Sequence, residues 1–287
     1  MEARSIVDRP DELRAHLRGM WVAVAGGWER HAEYVDSRGA VVTAAMLAAA
    51  RPRPGEQVLE LACGPGGVGL AAAALVAPGG EVVLSAVVPE MTAIASARAE
   101  ALGIENVSTR ELDLEHIDEA DESYDVVLCR EGLMLVPDPA RAAREIRRVL
   151  RPGGRVAVAV WGPRERNPWL GLVLDAVSAQ LGKPFPPPGM PGPFSLSDSE
   201  RLEAMLVGAG LQSVEISELP TPARARSFED WSTSTLALAG PLAKLIASLP
   251  EAARTALTAR LREAVDPFVT PAGVDIPGLT LLASARR

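Results

Sequence analysis

The chain has 287 residues, enough for one large α/β domain or for a core domain with a cap. Its 48% hydrophobic and 23% charged residues are the balance of a soluble enzyme, and a net charge of −8 argues against nucleic acid, because phosphate binding wants a basic face. The two cysteines, Cys63 and Cys129, are too few for a disulfide framework or a zinc ribbon, so a reducing cytoplasm and no resident metal are expected.

Met1 to Met20 is charged throughout and lacks the apolar stretch of a signal peptide. Residues 1 to about 53 read as helices, clearest over Asp11 to Met20 and Gly39 to Ala50, with Gly26-Gly27 as the break between them. The alanine-rich run from Val41 to Ala50 is too short to span a bilayer. Pro52, Pro54 and Gly55 then punctuate the chain. Gln57 to Ala62 predicts a buried parallel strand before a glycine cluster, and Val68 to Val76 predicts a helix. Strand, helix and strand follow over Glu81 to Ala86, Pro89 to Leu102 and Val107 to Leu112, with Gly103 as the helix stop. Tyr124 to Cys129 is a fourth strand, Asp138 to Leu150 an amphipathic helix and Arg155 to Trp161 a fifth strand. This alternation implies a parallel sheet covered on both faces, with ligands outside the carboxyl ends of its strands.

Beyond Trp161 the pattern changes. Residues 163 to 195 are proline-rich. Ser197 to Ala209 predicts a helix opened by a capping box of Ser197 and Glu200. Ser213 to Leu219 predicts a strand, residues 220 to 266 predict helices broken at Pro241 and Pro250, and Leu279 to Ala285 predicts a last strand. The expected organisation is a helical cap segment over 1–53, a cofactor-binding α/β core over 54–162, and 163–287 completing the sheet around an inserted helical cap.

The strongest local signal is Val58-Leu59-Glu60-Leu61-Ala62-Cys63-Gly64-Pro65-Gly66-Gly67, where a strand turns sharply into a helix. It is followed in order by Pro89-Glu90-Met91, Asp113, Tyr124-Asp125-Val126-Val127 and Leu150-Arg151-Pro152-Gly153-Gly154. This series, over about residues 55 to 162, resembles the class I S-adenosylmethionine-dependent methyltransferases, and most nearly their small-molecule, ubiquinone-biosynthesis-like branch. The resemblance implies a doubly wound, mostly parallel seven-stranded sheet and S-adenosylmethionine as cofactor. It implies that Glu60 holds the amino end of the methionine moiety and that the backbone at Ala62, Cys63, Gly64 and Gly66 lies against the cofactor. Met91 and Val87 would lie near the adenosine, and Asp113 would accept from the adenine amino group with Leu114 beside it. Cys129 and Arg130 would flank the methionine moiety and the transferred methyl.

One position departs from the family. The second strand normally ends in a carboxylate that accepts from both ribose hydroxyls, and Ala86 stands there. Two charge-assisted bonds are lost, each about 1.5–3 kcal/mol. If water recovers half of that, affinity falls on the order of tenfold to a few hundredfold. Four readings follow: weak but useful cofactor binding, an altered variant of an acidic parent, whether natural or introduced, Ser85 or Glu90 reaching the ribose instead, or a fold that has left methyl transfer for ligand binding or a cyclase-like reaction. The rival reading is an NADP oxidoreductase, because Gly64-Pro65-Gly66-Gly67-Val68-Gly69 also satisfies G-x-G-x-x-G; its weakness is that no arginine follows Ala86 before Arg98.

Methyl transfer from a sulfonium depends mostly on alignment, and a base is needed only when the acceptor loses a proton. His31 and Glu131 are the candidate bases; each is equally readable as a packing histidine or a structural ion-pair partner. Trp28, Trp161, Trp169 and Trp231 suit a planar apolar acceptor such as a phenol or quinone, or simply pack cap on core. O-methylation of a small molecule is the favoured expectation. A homodimer is compatible with the sequence.

Overall fold

The computed structural model of the chain describes residues 9–239, 242, 245, 246 and 248–287; the expectations over residues 1–8 and at Pro241 lie outside them. Strand β1 (Gln57–Leu61) sets the plan. Its side chains alternate between faces, Leu59 and Leu61 on one and Val58 and Glu60 on the other, and residues 58–61 are all buried. A strand buried on both sides needs a helical layer on each.

The sheet runs in the order β3 (Val107–Glu111), β2 (Glu81–Ala86), β1, β4 (Tyr124–Arg130), β5 (Leu150–Trp161), β10 (Leu279–Arg286), β6 (Gln212–Pro220). The first five strands are parallel, and β10 is antiparallel to both of its neighbours. This is the doubly wound, mostly parallel seven-stranded α/β arrangement. Its strand order reverses between β1 and β4, which opens a crevice at their carboxyl ends.

One face is covered by α2 (Ala32–Ala50), α3 (Gly67–Val76) and α4 (Pro89–Ala101), which bury Met46, Val68 and Ala95 against Val58, Val126 and Leu128. The other is covered by α5 (Pro139–Val149) and α7 (Ser199–Gly208), which set Ile146, Val149 and Leu202 on Leu59, Val127 and Val158. A third core joins α6 (Pro168–Leu181), α8 (Phe228–Leu238), α9 (Glu251–Val265) and a small antiparallel sheet. That sheet runs β7 (Ala223–Ala225), β9 (Gly273–Ile276), β8 (Val269–Thr270). Its strand β7 falls within the stretch over 220–266 that the sequence reads as helices.

Two further expectations are corrected. Helix α1 (Pro10–Arg30) runs straight through Gly26-Gly27 and ends only before His31. Gly27 is there for close approach: a Cβ would collide with the Ala237 carbonyl oxygen of α8, so the missing side chain lets two backbones meet. The cap of α7 is Asp198, whose carboxylate accepts from Arg201 N at 3.0 Å, rather than Ser197. Asp198 is one residue closer to the first helical turn, and its side chain reaches the free N–H groups there.

Candidate active site

The β1–α3 turn carries the backbone into unusual territory. Ala62 lies at φ +51°, a left-handed conformation that side-chain-bearing residues rarely adopt. Gly66, at φ +85°, is the N-cap of α3, and a Cβ there would crowd Leu84 and Ala95. Its absence therefore seats the turn on β2 and α4.

Glu60 sits beneath this turn, 2% exposed. Its Oε2 accepts from Gly69 N at 2.7 Å, within the first turn of α3, where unpaired N–H groups favour an anion. Burial nevertheless dominates and pushes the carboxyl up to about 7, with Arg130 and the Gly69 N–H opposing it. Ser85, fully buried, donates to Glu60 O at 2.8 Å and so points away from the ligand side, and Glu90 is exposed; neither lines the cavity described next. Both are thereby removed as substitutes for a ribose carboxylate.

A cavity of about 490 Å³ opens over the carboxyl ends of β1, β2 and β4. Glu60, Ala62, Cys63, Gly64, Ala86, Val87, Met91, Asp113, Leu114, Arg130 and Glu131 line it. Asp113 is held by its own turn, its Oδ1 accepting from Glu115 N at 2.9 Å. Glu131 is a second side-chain-bearing residue in the left-handed region, at φ +59°, and its N–H donates to Ala159 O at 2.7 Å. The backbone thus pins Glu131 at the mouth of β4, and no ion pair engages its carboxylate among the described residues. Arg130 donates to Thr43 Oγ1 at 2.8 Å.

The cavity continues past the end of β5 into an apolar compartment. Trp161, Trp169, Leu170, Leu174, Phe185, Met190 and Leu238 wall it, with Phe185 and Met190 from the proline-rich loop. Trp161 and Trp169 meet edge to face at 4.8 Å. Asn167, fully buried, accepts from Trp169 Nε1 at 3.1 Å and from Leu279 N at 3.0 Å. Its amide also donates to the carbonyls of Gly162, Pro163 and Leu279, so every polar valence is used and the indole is fixed.

Four expected site residues do not line the cavity. Cys129 is fully buried under Gly132, and burial pushes its thiol up to about 12. Gly66 acts through packing, as above. His31 sits at the α1–α2 junction, away from the cavity. Trp231 is buried against Phe228 in the third core, because the inward face of α8 carries both rings. Trp28 does line the cavity, but its ring lies 3.4 Å from where a Gly64 Cβ would be, which places it over the glycine turn rather than among the acceptor walls.

Sequence reasoning missed the inner face of α2. Tyr34, Val35, Arg38, Gly39 and Val42 all line the cavity, and their spacing of one, three and four was the available signal. His16 and Arg18 of α1 reach the rim, with Arg18 paired to Glu111. Arg98, the first arginine after Ala86, pairs with Asp36 and donates to Pro65 O. It clamps the glycine turn to α2 and is not among the cavity walls.

Residues 52–170 match a family model described as a methyltransferase domain. The chain is 34% identical over 185 residues to an arsenite methyltransferase of Halobacterium salinarum, covering 62% of this chain and 42% of that protein. It is 34% identical over 183 residues to a ubiquinone/menaquinone biosynthesis C-methyltransferase of Ralstonia pickettii, covering 59% of this chain and 72% of that one. It therefore spans less than half of the Halobacterium protein and nearly three quarters of the Ralstonia protein. Among solved structures, a candidate methyltransferase from Bacillus halodurans superposes with a TM-score of 0.58 at 22% identity, covering 85% of this chain and 97% of that one, a likeness of fold.

Proposed function

Because the chain belongs to the class I S-adenosylmethionine-dependent methyltransferase family, we propose that it moves the methyl group of S-adenosylmethionine to oxygen on a small, apolar or aromatic acceptor. The observation that carries this reading is the continuity of the cavity. A cradle of the family's donor types and a tryptophan-walled compartment line one continuous cavity.

The residues present suit the cofactor. Glu60 offers a buried carboxylate to a cationic amino end, and Arg130 stands beside it. Val87, Met91 and Leu114 provide apolar walls for a flat base, and Asp113 provides an acceptor for its amino group. Ala86 offers only a methyl group to the ribose, so the cradle binds more weakly than one with a carboxylate there. When bound, the cofactor supplies a methyl group on a sulfonium, whose thioether leaving group needs no acid. The chain's own residues then have two tasks. The tryptophan compartment aligns the acceptor, and Glu131 takes the proton of the acceptor hydroxyl as its oxygen becomes the nucleophile. In this reading residues 54–162 form the cofactor core, and 1–53 with 163–287 supply the cap and the last two strands. No helix among the described residues is long and apolar enough to cross a membrane.

The test is a panel of phenols and naphthols with methyl-labelled S-adenosylmethionine. We expect label on oxygen, and we expect Glu131→Gln to lower kcat by about 10²–10⁴ while the KM for S-adenosylmethionine stays within twofold. Unchanged kcat in Glu131→Gln would remove Glu131 as the base. Tight cofactor binding with no transfer to any acceptor would favour a non-methylating use of the fold.

A further inference from the structure

The tryptophan compartment contains one charge that the methyl-transfer reading does not use. Arg38 projects from α2 into the cavity, with its guanidinium carbon 3.9 Å from the centroid of the Trp169 ring and 5.6 Å from that of Trp161. The Trp169 ring cannot swing away, because Asn167 holds its Nε1 at 3.1 Å.

The other arginines around the cavity are engaged. Arg14 pairs with Glu115 at 3.0 Å, Arg18 pairs with Glu111, and Arg130 donates to Thr43 at 2.8 Å. Among the described residues, no carboxylate lies within ion-pair distance of Arg38, and its Nε is buried without a hydrogen-bond partner. Trp161 Nε1, in the same cluster, is also buried without one. A cation on an apolar wall loses hydration that two ring faces restore only in part. Unsatisfied donors beside it call for an acceptor from the ligand.

We propose that Arg38 is the anion receptor of the acceptor compartment, and that the acceptor is a carboxylic acid on a planar, apolar body. The inference rests on the methyl-transfer reading and specifies its substrate class. A guanidinium presents a planar fork that matches a carboxylate with two parallel bonds. One unpaired guanidinium neutralises a monoanion, whereas a phosphate dianion would keep a full charge among apolar walls. The tryptophan rings cover the planar body, and Arg38 sets which end of it faces away from the cofactor cradle.

The experiment is calorimetric binding to the full chain loaded with S-adenosylhomocysteine. The probes are 6-hydroxy-2-naphthoate and its carboxamide, which share shape, carry the hydroxyl at the opposite end and differ in charge. We expect the acid to bind at least about tenfold tighter than the amide, the range of hydrogen bonds to charged groups. Arg38→Met should erase that preference while S-adenosylhomocysteine affinity stays within twofold and the melting temperature shows the variant folded. Arg38→Lys should keep a reduced preference, since it retains the charge without the fork. Equal binding of acid and amide, or binding of neither, overturns the proposal. Loss of S-adenosylhomocysteine affinity in Arg38→Met also overturns it, by assigning the guanidinium to the cofactor. If the unaltered chain binds no S-adenosylhomocysteine, the methyl-transfer reading fails, and the acid and amide compared on the unloaded chain still decide for or against Arg38.

Discussion

Glu60 joins the electrostatics of the site to its pH dependence. Its carboxyl is held at about 7 by burial, above the ordinary carboxylate range, so the folded state binds the proton more tightly than the unfolded chain. The stability Glu60 contributes is therefore fully present below the ordinary carboxylate range, falls as pH rises from there through about 7, and is level above that. Binding of a cationic amino group runs the other way, because it needs the ionised form. S-adenosylhomocysteine affinity should thus rise as pH is raised through about 7, and Glu60→Gln should bind weakly with no such rise. Calorimetry across that interval checks both. The identity of Glu60 was legible in its motif. Its raised pKa was not, since it follows from burial beneath the folded glycine turn, against the opposing pull of Arg130 and the Gly69 N–H.

Individual elements were legible where local chemistry decides them. Strands β1, β2 and β4 sit where apolar runs meet glycine or proline punctuation, and α5 starts at Asp138, whose side chain accepts from Arg141 N at 2.9 Å. What failed was decided by partners distant in sequence. Gly26-Gly27 reads as a break because local propensity says so, yet α8 arrives to use the bare backbone at Gly27. Gly27→Ala should therefore destabilise the fold by about 1–3 kcal/mol, the usual cost of overpacking, despite its better helix propensity. Gly26→Ala, whose Cβ would meet only the Arg30 side chain at 3.4 Å, should be neutral or stabilising. Urea unfolding of the two variants separates the explanations. Asn167 was equally silent in sequence, because its five hydrogen bonds tie Gly162 and Pro163 after β5 and Trp169 on α6 to both backbone groups of the distant Leu279 at the start of β10. Asn167→Ala leaves several buried groups unpaired and should cost at least about 2–3 kcal/mol.

At the scale of the molecule, alternating strands and helices were enough to place a crevice outside the carboxyl ends of the parallel strands, and the family resemblance named most of the residues that line its β1–β4 end. The acceptor compartment was less legible. Its walls come from α2, α6, α8 and the proline-rich loop, which no local motif ties together, and composition alone could not tell lining tryptophans from the buried Trp231. In the proposed reading this crevice is a cofactor site weakened at Ala86. Its most direct test is calorimetric titration of the chain and of Ala86→Asp with S-adenosylhomocysteine. Saturable binding by the unaltered chain is expected, with Ala86→Asp binding tighter by on the order of tenfold to a few hundredfold. No binding by either protein would contradict it.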